Sequence, residues 1–337
     1  MSSSQSDTIS LAVLDSLIYG VAKAFDYLGT YGQDMVDKIG DGIIEYCYRE
    51  GYVEKSSDPQ QLSFGLVKFF EKNNYVGHVD FVPNAGVVDI TMRNWRFLPL
   101  MKKLRRQDCY LLTCPLCMAN NAVLRSNSIG MKRISERLDD DGTYSLRFQM
   151  VPLAEGTLVP AKPADLHAFN EEPGREEVGL PVFEAVEYGL ARGFDYLGKQ
   201  ADLLLENVGK GIIEFLREEA MVQLPEGTSQ SLAALSSVYV EGRLADRINF
   251  DIATSEASIS FSKYRFLPVL RNLLDEGVSR VSCPYVLAAR RVLREAGSST
   301  KHLDWKINNQ YDATLRMALQ KIEDQFDEGK ISGLMGT

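Results

Sequence analysis

The chain has 337 residues, 45% hydrophobic, 25% charged and 9% aromatic, an ordinary balance that suggests about two globular domains. Its formal net charge of −9 excludes a protein that grips nucleic acid or an anionic membrane by bulk positive charge. No run of ~18 apolar residues predicts a transmembrane helix, and the opening MSSSQSDTIS lacks the basic and apolar regions of a secretory signal.

Residues 9–29 read as a helix with a wide apolar face, ended by Gly29. A second helix is expected from Tyr31 to Glu50, where Val36, Ile39, Ile43, Ile44 and Cys47 form one stripe. Residues 60–72 read as a third helix. The period then changes. His78–Pro83 and Val87–Arg93 alternate around Pro83-Asn84-Ala85-Gly86, a hairpin signal. Phe97–Arg106 returns to helix, with Pro99 near its first turn, where a missing N–H costs little. Tyr110–Thr113 is a short apolar strand or buried loop. Pro115–Arg125 is helical, with Cys114 at its start. Met131–Leu138 and Thr143–Val151 alternate around Asp139-Asp140-Asp141-Gly142, a second hairpin. Residues 153–180, rich in Pro, Gly and charge, read as a linker. The same order then recurs, with the last hairpin turning at Asn308-Asn309-Gln310, and 321–337 form a tail with a short helix and a Gly-rich end.

The recurrence has one offset. Phe25-Asp26-Tyr27-Leu28-Gly29 returns as Phe194-Asp195-Tyr196-Leu197-Gly198, Gly40 and Gly42 as Gly209 and Gly211, Arg96-Phe97-Leu98-Pro99 as Arg265-Phe266-Leu267-Pro268, and Cys114-Pro115 as Cys283-Pro284, all 169 residues apart. A period this long exceeds the ~20–50 residues of solenoids and propellers, so each unit is a domain in itself. The expected fold class is α+β: two tandem copies of a helices–hairpin–helices–hairpin domain, 9–152 and 181–320, packed as an intramolecular pseudo-dimer.

The helix-start Cys-Pro, with a closing hairpin that ends on Leu146-Arg147-Phe148, resembles the 4-vinyl reductase domain family over most of each copy. That family is similar in fold to the small subunits of TRAPP vesicle-tethering complexes, and aminothiazoline carboxylate hydrolases have a related pattern. The resemblance implies α/β domains that pair and often enclose an apolar cavity for hydrocarbons or other small molecules. Family members often carry further cysteines in the closing strands. Here those strands have none, so a metal or redox role using them is not carried over.

Cys109-x4-Cys114-x2-Cys117 matches the spacing of the first three ligands of plant-type ferredoxin clusters. The intervening Tyr110-Leu111-Leu112 is apolar, no fourth cysteine follows at a suitable distance, and the second copy keeps Cys283 alone, so buried thiols are the preferred reading. Five cysteines without a disulfide framework fit a reducing cytoplasm. Cys114 and Cys283 each sit at a helix N-terminus, where the dipole favours thiolate. A nucleophile would need a base, and His78, His167 and His302 make no repeated Cys/His pair. Phe25, Tyr27, Phe194 and Tyr196 surround a ligand, meet between the copies, or pack a helix end on its own core. Arg96 and Arg265, before Phe97 and Phe266, either clamp a ligand carboxylate or pair with Asp26 and Asp195; the structural pair is preferred. Gly40 and Gly42 lack the preceding strand of a phosphate loop and read as sites of close helix approach.

The expected function is a non-catalytic binding module holding a hydrophobic small molecule (a lipid, hydrocarbon or tetrapyrrole intermediate) in an apolar cavity. Its ligand residues would be the aromatics, arginines and helix-start cysteines just named. The alternatives are a scaffold subunit of a protein complex and a thiol- or metal-dependent enzyme. No cofactor is assigned. The expected partners are a hydrophobic small molecule or another protein, with further homo-oligomers left open.

Overall fold

The computed structural model describes residues 7–322 apart from 27, 29, 85, 110, 112, 154–176, 199–200, 279 and 281. The Tyr27 and His167 readings, most of the linker and the tail beyond 322 lie outside the described residues.

The fold is mixed α+β. The first half runs β1 (Thr8–Ser10), α1 (Leu11–Asp26), α2 (Thr30–Arg49), α3 (Pro59–Lys72), β2 (Val76–Asn84), β3 (Val87–Trp95), α4 (Leu98–Arg106), α5 (Pro115–Ser126), β4 (Ile129–Leu138) and β5 (Tyr144–Pro152). The second half repeats the order: β6 (Glu177–Gly179), α6 (Leu180–Tyr196), α7 (Ala201–Glu218), α8 (Thr228–Glu241), β7 (Arg247–Ile252), β8 (Glu256–Ser262), α9 (Leu267–Asp275), α10 (Pro284–Glu295), β9 (Ser298–Ile307) and β10 (Ala313–Lys321).

Local chemistry explains most of these boundaries. Asp58 caps α3 by accepting from Gln60 N at 2.9 Å, and Pro59 occupies a first-turn position whose N–H has no helical partner. Proline stands in the first turn of α4, α5, α9 and α10 alike. The turn between β4 and β5 closes with Gly142 N donating to Asp139 O at 3.0 Å, and Gly142 takes a φ of +79° that suits glycine.

Each pair of hairpins joins through its second strands into an antiparallel sheet, ordered β2-β3-β5-β4 and β7-β8-β10-β9. Alternate residues face the core, Tyr144, Leu146 and Phe148 in one sheet and Ala313, Leu315 and Met317 in the other. Helices cover those faces. Across the halves α1 packs on α7 and α2 on α6; within each half α2 packs on α5 and α7 on α10. The repeated glycines lie at these crossings. A Cβ on Gly42 would stand 2.7 Å from Gly189 Cα, and one on Gly211 2.8 Å from Gly20 Cα. Ion pairs at matching positions, Arg125–Asp37 and Arg294–Glu206, tie α5 to α2 and α10 to α7.

Two expectations need correction. Residues 9 and 10 are strand rather than helix, and 177–179, read as linker, are strand too: β1 and β6 pair antiparallel, Thr8 opposite Gly179 and Ser10 opposite Glu177. Two three-residue strands carry no periodicity, and only folding brings them together. In the stretch read as strand or buried loop, Leu111 and Thr113 lie in a loop, with Thr113 N donating to Leu111 O at 3.1 Å. Among the described residues no helix is long and apolar enough to cross a membrane.

Candidate functional site

The chain enters α10 through Ser282 and Cys283, both fully buried, because Pro284 starts the helix inside the core rather than at the surface. Glu187, on the apolar helix α6, points into the same place. It is fully buried, and its Oε2 accepts from Ser282 Oγ at 2.6 Å while Oε1 has no hydrogen-bond partner. The Tyr264 hydroxyl, two residues past β8, is buried against Cys283, with Phe266 beside its ring at 5.8 Å. Tyr239 packs edge-on to Tyr285 at 5.7 Å, and the two hydroxyls reach Ser16 (3.5 Å) and Ser236 (2.9 Å).

Burial controls the protonation of this group. Desolvation pushes the Glu187 carboxyl well above the usual carboxylate range, against the Ser282 hydrogen bond. Desolvation, helped by Glu187, pushes the Cys283 thiol up to about 12. The helix dipole expected to favour a thiolate at Cys283 is outweighed. A thiol and a carboxyl held towards their neutral forms, with buried hydroxyls, can donate and accept hydrogen bonds, but burial works against a nucleophile here.

Beyond Tyr285 lies an apolar cleft between α8, α10 and strands β7, β8 and β10. Leu232, Phe250, Ile259, Ala289, Leu293 and Met317 form most of its wall, and its cavity volume is about 10 Å³, room for roughly one water.

The first half builds a different site at the matching place. Cys114 caps α5 and is fully buried. Tyr75 Oη donates to its sulfur at 4.0 Å, and the Trp95 indole N–H, otherwise unpartnered, faces the same sulfur. Cys117, partly buried one turn on, hydrogen-bonds to it through both its thiol and its backbone N–H. Burial raises the Cys114 pKa, but those hydrogen bonds outweigh it and hold the thiol below its ordinary value. The hydrogen bond to Cys114, with burial, pushes Cys117 well above. Cys109 is turned elsewhere: its sulfur donates to Ala22 O at 3.6 Å. The three cysteines therefore do not converge as ferredoxin-type ligands. Among the described residues no group of three or more His, Cys, Asp or Glu is set to hold a metal.

The remaining predicted residues divide. Phe25 and Phe194 meet each other, ring centroids 5.8 Å apart, across the helix layer. Phe97 lies 5.4 Å from Trp95 and so joins the Cys114 group. Tyr196 is 72% exposed, with Lys38 over its ring, and belongs to neither group. The fold gives these residues other contacts, and the expected Arg265–Asp195 pair is replaced. Arg96 Nη2 reaches Asn74 Oδ1 at 3.4 Å, and Asp26 lies beside Lys23 and Cys109. Asp195 pairs with Arg280 at 3.9 Å, while Arg265 Nε is buried without a hydrogen-bond partner. The reason is register: Arg96 and Arg265 leave β3 and β8 tied through their backbone N–H to Tyr75 and Leu244, away from the ends of α1 and α6.

The residues missed from sequence are Glu187, Ser282, Tyr239, Tyr264 and Tyr285, with Tyr75 and Trp95 in the first half. Glu187 left a signal, a carboxylate on the buried stripe of Val182-Phe183-Glu184-Ala185-Val186-Glu187-Tyr188. The others left none, because aromatic residues in strands and helix starts read as core.

No curated protein and no solved structure matches the chain. Residues 185–323, less than half of it, match the model of a family described as "Putative rubredoxin C-terminal domain". A tetrahedral iron–sulfur site of the S4 type needs four thiolates; the matched segment has one cysteine, Cys283, so its residues do not fit such a centre. Over that segment the chain is similar to this family, and the similarity takes in Glu187, Tyr264, Cys283 and the apolar cleft.

Proposed function

We propose that the protein is a non-catalytic binding module for a slender hydrophobic molecule, built from two tandem 4-vinyl-reductase-like domains that pair within one chain. The pairing is supported by contacts that repeat with the halves exchanged. The Tyr19 hydroxyl lies 2.8 Å from Glu214 Oε1 and 2.7 Å from Gln107 Oε1; the Tyr188 hydroxyl lies 3.1 Å from Glu45 Oε1 and 2.8 Å from Glu276 Oε2. Tyr19 packs on Phe215 and Tyr46 on Tyr188, at 5.6 and 5.5 Å. Every one of these residues is matched by its repeat counterpart.

The observation that carries the binding reading is the cleft beside α10. Its wall is almost wholly apolar, and burial holds the polar group behind Tyr285 towards its neutral forms. Its cavity volume of about 10 Å³ lies far below the ~300–1,000 Å³ of ordinary ligand pockets, so a ligand enters only as the wall parts. That size favours an alkyl chain or small hydrocarbon over a tetrapyrrole. At the matching positions the first half has Ser63, Asn120 and the bulkier Phe148 in place of Leu232, Ala289 and Met317, so the ligand is assigned to the second half.

A fluorescent polyene fatty acid, cis-parinaric acid, tests the reading. Saturable binding to the purified protein is expected, weakened about tenfold or more, or ~1.4 kcal/mol, by Ala289→Phe, which fills the cleft. Circular dichroism on the same sample checks that the variant folds. Non-saturable uptake, or full binding in a folded Ala289→Phe protein, removes the proposal.

A further inference from the structure

The loop into α5 carries two thiols where the loop into α10 carries one. Cys114 is the N-cap of α5 and Cys117 stands three residues on, in the first turn; the counterpart of Cys117 is Val286. Residues three apart on a turn bring their Cβ atoms to ~5–6 Å, a small adjustment from the ~3.5–4.5 Å of a disulfide. Here the two sulfurs already share a hydrogen bond. Cys109, which could compete as a partner, is held by the Ala22 carbonyl and lies beside Asp26. The two residues also differ in exposure: Cys114 is fully buried, while Cys117 is partly exposed. Tyr75 and Trp95 hold the Cys114 sulfur from the opposite side.

We propose that Cys114 and Cys117 are a redox-active dithiol, which closes to an intramolecular disulfide by exchange with a low-molecular-weight disulfide such as glutathione disulfide. Once the Cys114 thiol has given its proton to solvent, Cys117, the more exposed residue of the two, passes its own proton to the Cys114 thiolate along their hydrogen bond and attacks one sulfur of the incoming disulfide. The disulfide S–S bond breaks, and one glutathione thiolate leaves and takes up a proton. Cys114 then gives up its proton to solvent and attacks the Cys117 sulfur of the mixed disulfide. The second glutathione leaves as thiolate and is protonated. Two protein thiols are oxidised to one disulfide, and one glutathione disulfide is reduced to two thiols. Closure changes the sulfur to which Tyr75 and Trp95 donate, so the oxidation state of the pair is felt in the core between β3 and α5. Cys283, with Val286 in place of a second thiol, has no partner for such a step and serves as an internal control.

The test uses the intact chain, folded, in buffers of stepped reduced-to-oxidised glutathione ratio, quenched in acid and alkylated with N-ethylmaleimide. Trypsin releases residues 107–125 with Cys109, Cys114 and Cys117, and residues 281–290 with Cys283. As the buffer becomes oxidising, peptide 107–125 is expected to lose two hydrogens and two alkyl groups. Fragment ions should place the bond between Cys114 and Cys117 and the remaining alkyl group on Cys109, with dithiothreitol reversing the change. Peptide 281–290 should remain alkylated throughout. In Trp305→Phe protein the emission of Trp95 should fall with the same midpoint, because a disulfide beside an indole quenches it. Alkylation of all three cysteines at every ratio, a bond that includes Cys109, or glutathione stopping on Cys117 would each overturn the proposal. In Cys117→Ser protein the intramolecular bond and the fluorescence step must both vanish; persistence of either also overturns it.

Discussion

Glu184 and Glu187 place two carboxyls on one buried face of α6. Glu184 accepts from Tyr46 Oη at 2.9 Å, yet burial pushes its pKa up to about 7. A carboxyl raised in the folded state holds a proton that the unfolded chain releases. Its stability contribution is therefore complete below the unfolded pKa of 4.5 and is lost as pH rises towards 7. At ~1.4 kcal/mol per pKa unit the loss reaches about 3 kcal/mol at most. Glu184→Gln keeps an acceptor for Tyr46 and cannot ionise. Urea titrations at about pH 5 and pH 7 should show a clearly smaller drop in stability for this variant than for the parent. An equal drop in both proteins would mean that Glu184 is ionised in the fold. These carboxyls were legible as polar intrusions on an apolar stripe. What they face was not, since Ser282 and Tyr46 are far from them in sequence.

At the scale of elements, the glycine spacing was informative and the partner was hidden. Gly40 and Gly42 were read as positions of close approach, and they are. A Cβ on Gly40 would meet Met118 O at 2.3 Å, and its counterpart Gly209 would meet Leu287 O at the same distance. The first pair of helices lies within the first half, whereas Gly42 and Gly189 touch across the halves; periodicity cannot tell these cases apart. Gly42→Ala and Gly211→Ala drive a methyl into backbone, which cannot swing aside as a side chain can. Each should cost about 1–3 kcal/mol, the usual penalty of overpacking, seen as a lower urea midpoint with unchanged m. A neutral effect at both sites would mean that the helices separate at no cost. Hairpins and helices fell within a few residues of their predicted ends, because alternation and capping are local. Strand order was not legible, since β3 pairs with β5 across two intervening helices.

At the scale of the molecule, the helix layer joins the halves. α1 on α7, α2 on α6, the β1–β6 ribbon and the Arg49–Glu276 and Lys103–Glu219 ion pairs all cross between them. A protease site inserted in 154–176 and cleaved in the native protein should leave the two fragments eluting together on gel filtration. Separation of the fragments without denaturant would overturn this account of the interface, whose faces are almost continuously buried in α1 and α6. By itself the sequence determined the 169-residue repeat, the order and kind of elements and the faces they bury, because these depend on local periodicity, turn chemistry and capping. Only the tertiary structure decided which helix meets which, that Asp195 pairs with Arg280 rather than Arg265, and that two cysteines at equivalent helix starts differ. Cys283 lies beside a buried carboxyl and stays a thiol, while Cys114 lies against a second thiol, a tyrosine and an indole. The protonation of a buried group is set by the neighbours that folding delivers, and those neighbours are distant in the chain.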